Sequence, residues 1–192
     1  MNVSRSQAKP LLAGHPITRR GFLARSAALG AALGAGSLAC GTGEQDYAAL
    51  LSPGERPKQL GVREYVVLRE VADRLVPAEG EKPGALALGV PARVDGELAF
   101  HGPKLRDDLE AALQLVEWWP LLSKGSRFSR LDPSAQDAVL ADMASSRLAA
   151  RRTAFQGLKF VTVFFTYTQE PTWPAIGYDG PWVPRKRPAA LA

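Results

Sequence analysis

The chain has 192 residues, of which 46% are hydrophobic and 22% charged, the balance of an ordinary globular protein and not of a disordered one. The formal net charge is +5, but residues 1–39 hold five basic groups and no acidic group, which leaves 19 basic against 19 acidic groups in the remainder. A nucleic-acid-binding domain keeps a basic excess in its folded part, so the neutral remainder excludes nucleic acid as a partner.

Cysteine and histidine are too scarce in this chain to build a redox or metal centre. Cys40 is the single cysteine, and His15 and His101 are the only histidines. A disulfide within the chain would need a second cysteine, and zinc sites, attached haem and iron–sulfur clusters each need several Cys or His ligands. We therefore expect no catalytic residue, no metal and no cofactor in this chain, and assign any redox centre to another chain.

Residues 1–39 have the features of an export signal. A polar, basic segment precedes a twin-arginine pattern, and 16 residues made almost wholly of Ala, Leu and Gly follow it. A membrane span needs about 20 predominantly apolar residues. A stretch this short and weakly apolar is more typical of an export signal that a receptor binds. We predict a bacterial twin-arginine signal peptide over 1–39, the twin-arginine translocase as a partner and a periplasmic location. The motif residues are Arg19, Arg20, Phe22 and Leu23.

The sequence around Cys40 is compatible with three fates of the leader. Ser37 and Ala39 are small residues at the positions that a signal peptidase prefers. Cys40 follows at once, which suggests lipidation of its thiol and attachment to the membrane, although lipoprotein signals usually have an aliphatic residue where Ser37 stands. An ordinary cleavage and a retained leader are the alternatives.

The first half of the remaining chain predicts a linker and three helices. Residues 40–60 are rich in Gly, Thr, Ser, Pro and charge, which indicates a linker before a domain over 61–182. Apolar residues at three-to-four spacing predict an amphipathic helix over 62–76, which Pro77 ends. A short helix is expected to open at Pro91, and a longer one at Pro103.

The second half predicts two further helices. Asp132 followed by Pro133 is a strong start signal, because Asp caps a helix and Pro suits its first turn. Residues 152–168 are apolar over an arc so wide that we expect a central helix, although their β-branched residues leave a strand over 160–166 as an alternative. The predicted fold is all-α, a small bundle of four to five helices with an irregular C-terminal tail.

The tail combines aromatic residues with helix breakers. Residues 172–182 contain three aromatic residues, two prolines and two glycines, so they are not expected to form a helix. The large aromatic side chains must be buried, either on the helical domain or against a partner, and Trp and Tyr are enriched at interface hot spots. The candidate partner interface is Trp173, Ile176, Gly177, Tyr178, Gly180, Pro181 and Trp182. Residues 183–192 form a basic tail.

Several of these segments resemble the gluconate 2-dehydrogenase subunit 3 family, the small or gamma subunit of membrane-bound flavoprotein dehydrogenases. The resemblance covers residues 60–182 and the leader, and the closing stretch is its most specific part. Its carriers are the helix end at 71–77, Gly-Val-Pro at 89–91, Arg127-Phe128, Leu131-Asp132-Pro133, Phe155 to Phe165, and residues 173–181.

The resemblance implies a non-catalytic accessory subunit of an oxidoreductase complex. The partner it implies is a large FAD subunit of the GMC type that oxidises a sugar, a sugar acid or an alcohol, with a cytochrome c subunit carrying haem c as a further partner. The small subunit supplies the twin-arginine signal and aids folding, export and assembly of the flavoprotein. Cys40 departs from the family pattern, so a stand-alone envelope lipoprotein or binding domain anchored through Cys40 is the alternative.

Overall fold

The structure is a computed structural model that describes residues 44–180, and within that range the fold is all-α, as predicted. Five of its helices have eight or more residues, and short 3-10 turns connect or follow several of them. In chain order the α-helices are α1 (Glu44–Ala48), α2 (Val62–Leu75), α3 (Val90–Glu97), α4 (Pro103–Trp118), α5 (Leu121–Lys124), α6 (Pro133–Ser145) and α7 (Ala149–Tyr167).

The helix starts follow the proline and capping signals of the sequence. Pro91 and Pro103 lie in the first turns of α3 and α4, where the missing proline N–H has no helical partner to lose. The Asp132 carboxylate caps α6 by accepting a 3.0 Å hydrogen bond from the backbone N–H of Ala135. The strand alternative for 160–166 is wrong, because α7 runs unbroken through those residues.

The core is centred on α2, which packs against α3, α4, α6 and α7. Four of its residues have no exposed surface at all, and the side chains that meet them come from every other long helix. These four are Val66, Leu68, Val71 and Ala72. The helix α2 is therefore the centre of the bundle, and it fixes the relative positions of the helices around it.

The helix α7 also contacts four other long helices. Its wide apolar arc predicted a central helix, but only one of its apolar faces is buried. Ala154, Leu158 and Thr162 on one face are buried in the bundle. The neighbouring apolar face, which includes Phe160 and Phe164, is exposed instead of lying in the interior. The wide apolar arc of α7 therefore consists of two faces, one that packs on the core and one that is exposed to solvent.

Residues 44–60, for which composition predicts a linker, pack on the bundle. Tyr47 and Leu60 are buried, and the guanidinium of Arg69 on α2 donates to the carbonyl oxygen of Leu50 at 2.6 Å. The carboxylate of Asp95 on α3 accepts hydrogen bonds from three successive backbone N–H groups at 58–60, with distances of 2.6 to 2.9 Å. These bonds satisfy a buried carboxylate and fasten the segment in one place.

The helices α4 and α7 form an antiparallel pair beside α2. The guanidinium of Arg151, near the start of α7, lies 4.4 Å from the ring centre of Trp119, just after the end of α4. Both helices also contact α2, which fills the groove on the inner side of the pair. Along residues 44–180, none of these helices combines the length and the apolar character that crossing a membrane would require.

Candidate partner-docking surface

Several of the predicted site residues lie outside the described residues. These are the export-signal residues Arg19, Arg20, Phe22 and Leu23, the candidate lipidation residue Cys40, and Pro181 and Trp182 at the end of the tail. Their assignments remain predictions. The other five residues of the predicted interface, in 173–180, lie in the part that the structure describes.

The tail folds around the ring of Trp173. The Tyr178 ring meets it edge-on with centres 5.1 Å apart, and the backbone N–H of Tyr178 donates a 3.0 Å hydrogen bond to the carbonyl oxygen of Trp173. Gly180 has a φ of +106° and lies so close to this ring that an added Cβ would be 3.4 Å from it. The structure thus brings Trp173, Tyr178 and Gly180 together as one aromatic turn.

The remaining tail residues are displayed on the outside of this turn. Ile176 is 51% exposed, and Gly177 ends the short helical turn 174–176 with a φ of +67°. The turn is held at the end of α7, where the Thr172 hydroxyl donates to the carbonyl oxygen of Thr166 at 3.2 Å. Only part of the predicted interface is therefore presented to a partner, and it lies beside the C-terminal end of α7.

A row of exposed aromatic side chains continues along α7 from that end. Phe160 is 68% exposed, Phe164 49% and Tyr167 39%, and we call these three residues the aromatic row. The Phe160 and Phe164 rings stack with their centres 5.9 Å apart. Single exposed apolar residues are normal on protein surfaces, but a contiguous row of large ones marks an interaction site.

Beside the aromatic row lies an apolar groove between α4 and α7, closed at one end by the last turn of α3 and the turn after it. Its volume is about 940 Å³. Small residues, among them Ala112, Ala154 and Gly157, line its centre, and Leu105, Phe160 and Phe164 line its edges. We call this feature the α4–α7 groove. Its lining is the kind of surface that binds another apolar surface.

Charged groups lie at the edges of the groove. On the α3 and α4 side, Glu97 lies 3.5 Å from the His101 imidazole, and Asp108 accepts a 2.7 Å hydrogen bond from the Lys104 ammonium. On α7, Lys159 is the only charged residue between positions 153 and 169, and it lies beside the aromatic row and outside the groove lining. The aromatic row therefore adjoins a surface with little charge, while the opposite edge carries two carboxylates.

The described residues offer no assembled metal site. Among residues 44–180, no group of three or more His, Cys, Asp or Glu side chains lies close enough together to hold a metal ion. His101, the one histidine in this range, is half-exposed and adjoins Glu97. What this surface can do chemically is to exclude water against a matching apolar surface.

Comparison with known proteins gives the family. The family model for gluconate 2-dehydrogenase subunit 3 matches residues 62–180, well over half of the chain. The chain belongs to the gluconate 2-dehydrogenase subunit 3 family. Searches among curated proteins and among solved structures find no match. The family assignment therefore depends on the family model, and it confirms the resemblance found in the sequence.

The family match of this subunit 3 chain coincides with the helical bundle. It begins at Val62, the first residue of α2, and ends at Gly180, where an added Cβ would meet the Trp173 ring. Residues 44–60 lie outside the match although they pack on the bundle. The family name describes a subunit of a dehydrogenase complex, so association with other subunits is expected of this chain.

The interface predicted from the sequence of this subunit 3 chain does not include the aromatic row. The wide apolar arc over 152–168 predicted a central helix, whereas Phe164 on that helix is 49% exposed. The available signal was the width of the apolar arc, which exceeds the stripe of about 100° that a helix on the surface of a bundle buries. The position of α2 then decides which face of α7 is covered.

Proposed function

We propose that this chain is the non-catalytic small subunit of an exported, FAD-dependent dehydrogenase that oxidises a sugar, a sugar acid or an alcohol. In this proposal the chain supplies the twin-arginine signal and helps the flavoprotein large subunit to fold, to be exported and to assemble. FAD belongs to the large subunit, and haem c to a cytochrome c subunit of the same complex. The complex resides in the periplasm.

The observation that carries this proposal is the aromatic row on a chain of the subunit 3 family. Burying one exposed Phe side chain contributes about 1.5–3 kcal/mol, so Phe160 and Phe164 together favour association strongly once a partner covers them. The exposed part of the tail extends the same apolar surface beyond the end of α7. A subunit whose role is to hold a second protein needs a surface of this kind.

The twin-arginine pattern in the sequence supports the proposed role in export. Proteins on this route are exported after folding, and a flavoprotein acquires its FAD before it crosses the membrane. A small subunit that carries Arg19 and Arg20 and binds the folded flavoprotein supplies the address that the flavoprotein lacks. The scarcity of Cys and His is compatible with this division of labour.

Co-expression with the native flavoprotein tests the proposal. With the wild-type chain, we expect FAD-containing flavoprotein in the periplasm. The double variant Arg19→Lys, Arg20→Lys should hold both proteins in the cytoplasm while leaving them bound to each other. Flavoprotein that reaches the periplasm equally well without this chain would contradict the proposal.

A second variant separates binding from export. Phe160→Ser with Phe164→Ser should reduce co-purification of the flavoprotein, while the free subunit keeps its thermal stability because both rings are substantially exposed. Lys124→Ser on α5, away from the aromatic row, serves as the surface control. Unchanged co-purification of the double variant would remove the aromatic row from the interface.

One observation favours the alternative function, a stand-alone lipoprotein anchored through Cys40. The contact between Trp173 and Tyr178 buries part of the aromatic tail surface without any partner. It does not account for the aromatic row, which a protein working alone would leave in water. Metabolic labelling with a fatty acid, compared between the wild type and Cys40→Ser, tests this alternative directly.

A further inference from the structure

We infer that the α4–α7 groove holds one amphipathic helix of the flavoprotein subunit, with its apolar face in the groove and basic side chains along the edge beside Glu97 and Asp108. This inference rests on the proposed function and identifies the docking element of that partner. The observation that supports it is the environment of the α4–α7 pair: α2 packs against one side of the pair, and apolar residues line the other side.

The geometry of the helix pair leaves one of its two sides open. The helices α4 and α7 are antiparallel, and α2 packs in the groove on their inner side, where its residues Val66, Leu68 and Val71 are fully buried. On the outer side, no helix from the described part of the chain fills the corresponding groove. The surface that a third helix would cover there is already apolar, and two packed helices accept such a helix by ridges-into-grooves packing.

The groove is long enough to hold a helix of several turns. Its lining runs from Leu105 to Leu115 on α4 and from Ala150 to Phe165 on α7. At 1.5 Å per residue these stretches are about 15 and 22 Å long, which corresponds to three to four helical turns. The small side chains of Ala112, Ala154 and Gly157 let the backbone of a guest helix approach closely, while Leu105 and Phe164 pack on its flanks.

The charge along the groove favours a basic occupant. Glu97 and Asp108 lie on one edge of the groove and remain about half or more exposed, so they are available to cations of a guest. Phe160 and Phe164 of the aromatic row line the α7 side of the groove. A helix with an apolar face and Lys or Arg along one side of it matches this pattern.

Besides the leader, which the proposed function assigns to the translocase, the other candidate within this chain is its own C-terminal segment, 181–192, which is both apolar and basic. It contains Pro181, Pro184 and Pro188, so no stretch of it can form a helix of three turns. An extended segment of that composition lacks the helical ridges that pack into the groove between two helices. The flavoprotein is therefore the better-matched source, and the leader, the segment 181–192 and a second copy of this chain are outcomes that the test distinguishes.

Gly157→Leu is a sharp test, because it blocks the groove without disturbing this chain. An added Cβ at Gly157 meets no atom within 4 Å, and leucine favours a helix more than glycine does. The melting temperature of the free subunit should therefore not fall. Co-purification of the native flavoprotein should fall by about tenfold or more, since the leucine occupies the place of the guest helix. Gly96→Leu, at another helical glycine with open space and outside the lining, is the matched control.

Photo-crosslinking identifies the occupant. A benzoylphenylalanine placed at Thr153, an exposed lining residue, should crosslink to a helical segment of the flavoprotein that carries basic residues beside an apolar face. A crosslink to residues 1–43, to residues 181–192 or to a second copy of this chain would overturn the inference.

The two proposals fail in different ways. Full co-purification with Gly157→Leu overturns the groove inference and leaves the proposed function standing. If the wild-type chain binds no flavoprotein at all, both are lost.

Discussion

The hydroxyl of Tyr47 donates a 2.8 Å hydrogen bond to Oε1 of Glu117, a carboxylate with no exposed surface that lies 70 positions further along the chain. The same carboxylate accepts from the backbone N–H and the hydroxyl of Ser129, at 3.0 and 2.7 Å. One buried acid therefore connects segment 44–60, α4 and the turn before α6. A charge at this depth is tolerated only because several donors surround it.

Tyr47→Phe should destabilise the subunit by about 1.5–3 kcal/mol, because it removes one of the donors to a buried charge. Urea unfolding followed by circular dichroism measures the change in the free energy of unfolding. Tyr167→Phe, on the exposed aromatic row, is the matched control and should change it by less than about 0.5 kcal/mol. Similar losses in the two variants would contradict this account of Glu117.

Stability should fall at alkaline pH because of the same residue. Burial, and next the negative charge of Glu117, raise the pKa of Tyr47 above its ordinary value of 10.0. The unfolded chain therefore loses the Tyr47 proton at a lower pH than the folded chain does. The stabilisation is complete below about pH 10 and is lost as the pH rises further.

Urea unfolding between about pH 9 and about pH 11 checks this expectation. Tyr47→Phe should show a shallower decline than the wild type. A decline remains in that variant, because burial also raises the pKa of Tyr65. Parallel curves for the wild type and the variant would show that Tyr47 does not contribute.

Asp95→Ala should release the end of segment 44–60. The change leaves the backbone N–H groups of Lys58, Gln59 and Leu60 without their acceptor, and we expect a loss of about 3 kcal/mol or more. Hydrogen exchange should show lost protection of these three amides. Asp95→Asn keeps one acceptor oxygen and should lose less, while Asp107→Ala on the exposed start of α4 should leave the exchange unchanged.

Trp173→Ala should lower the yield of the complex more than the stability of the free subunit. The ring contacts Tyr178 and Gly180 within the tail, so its loss chiefly disorganises the surface beside α7. Co-purification of the flavoprotein and thermal melting of the free subunit measure the two effects. Equal losses in both would indicate that Trp173 acts as a core residue of this chain.

The local signals predicted the helices well because their causes are local. Pro103 and the pair Asp132–Pro133 favour a helix start through their own backbone geometry and capping chemistry, and both helices begin there. The three-to-four spacing over 62–76 predicted α2 to within one residue at its C-terminal end. None of these features depends on a distant part of the chain.

The interface residues were harder to predict, because exposure depends on neighbours that are far away in sequence. Trp173 and Tyr178 were expected to face either the domain or a partner; their rings contact each other, and Tyr178 stays 38% exposed. The wide apolar arc over 152–168 predicted a central helix, and Phe160 and Phe164 on that helix are exposed. A hydrophobic pattern in the sequence indicates which faces of a helix are apolar, but not which segment or which other protein covers those faces.

By itself, the sequence determined the all-α fold, the helix starts, the family and the scarcity of metal and redox ligands, since all of these follow from local spacing and residue type. Only the tertiary structure decided that Tyr47 anchors segment 44–60 to Glu117, and that α2 covers the inner side of the α4–α7 pair while the aromatic row stays exposed. The reason is that burial is a property of distant segments brought together. Tyr47 and Glu117 are 70 positions apart in the sequence, and no periodic pattern along the chain predicts that they form a hydrogen bond.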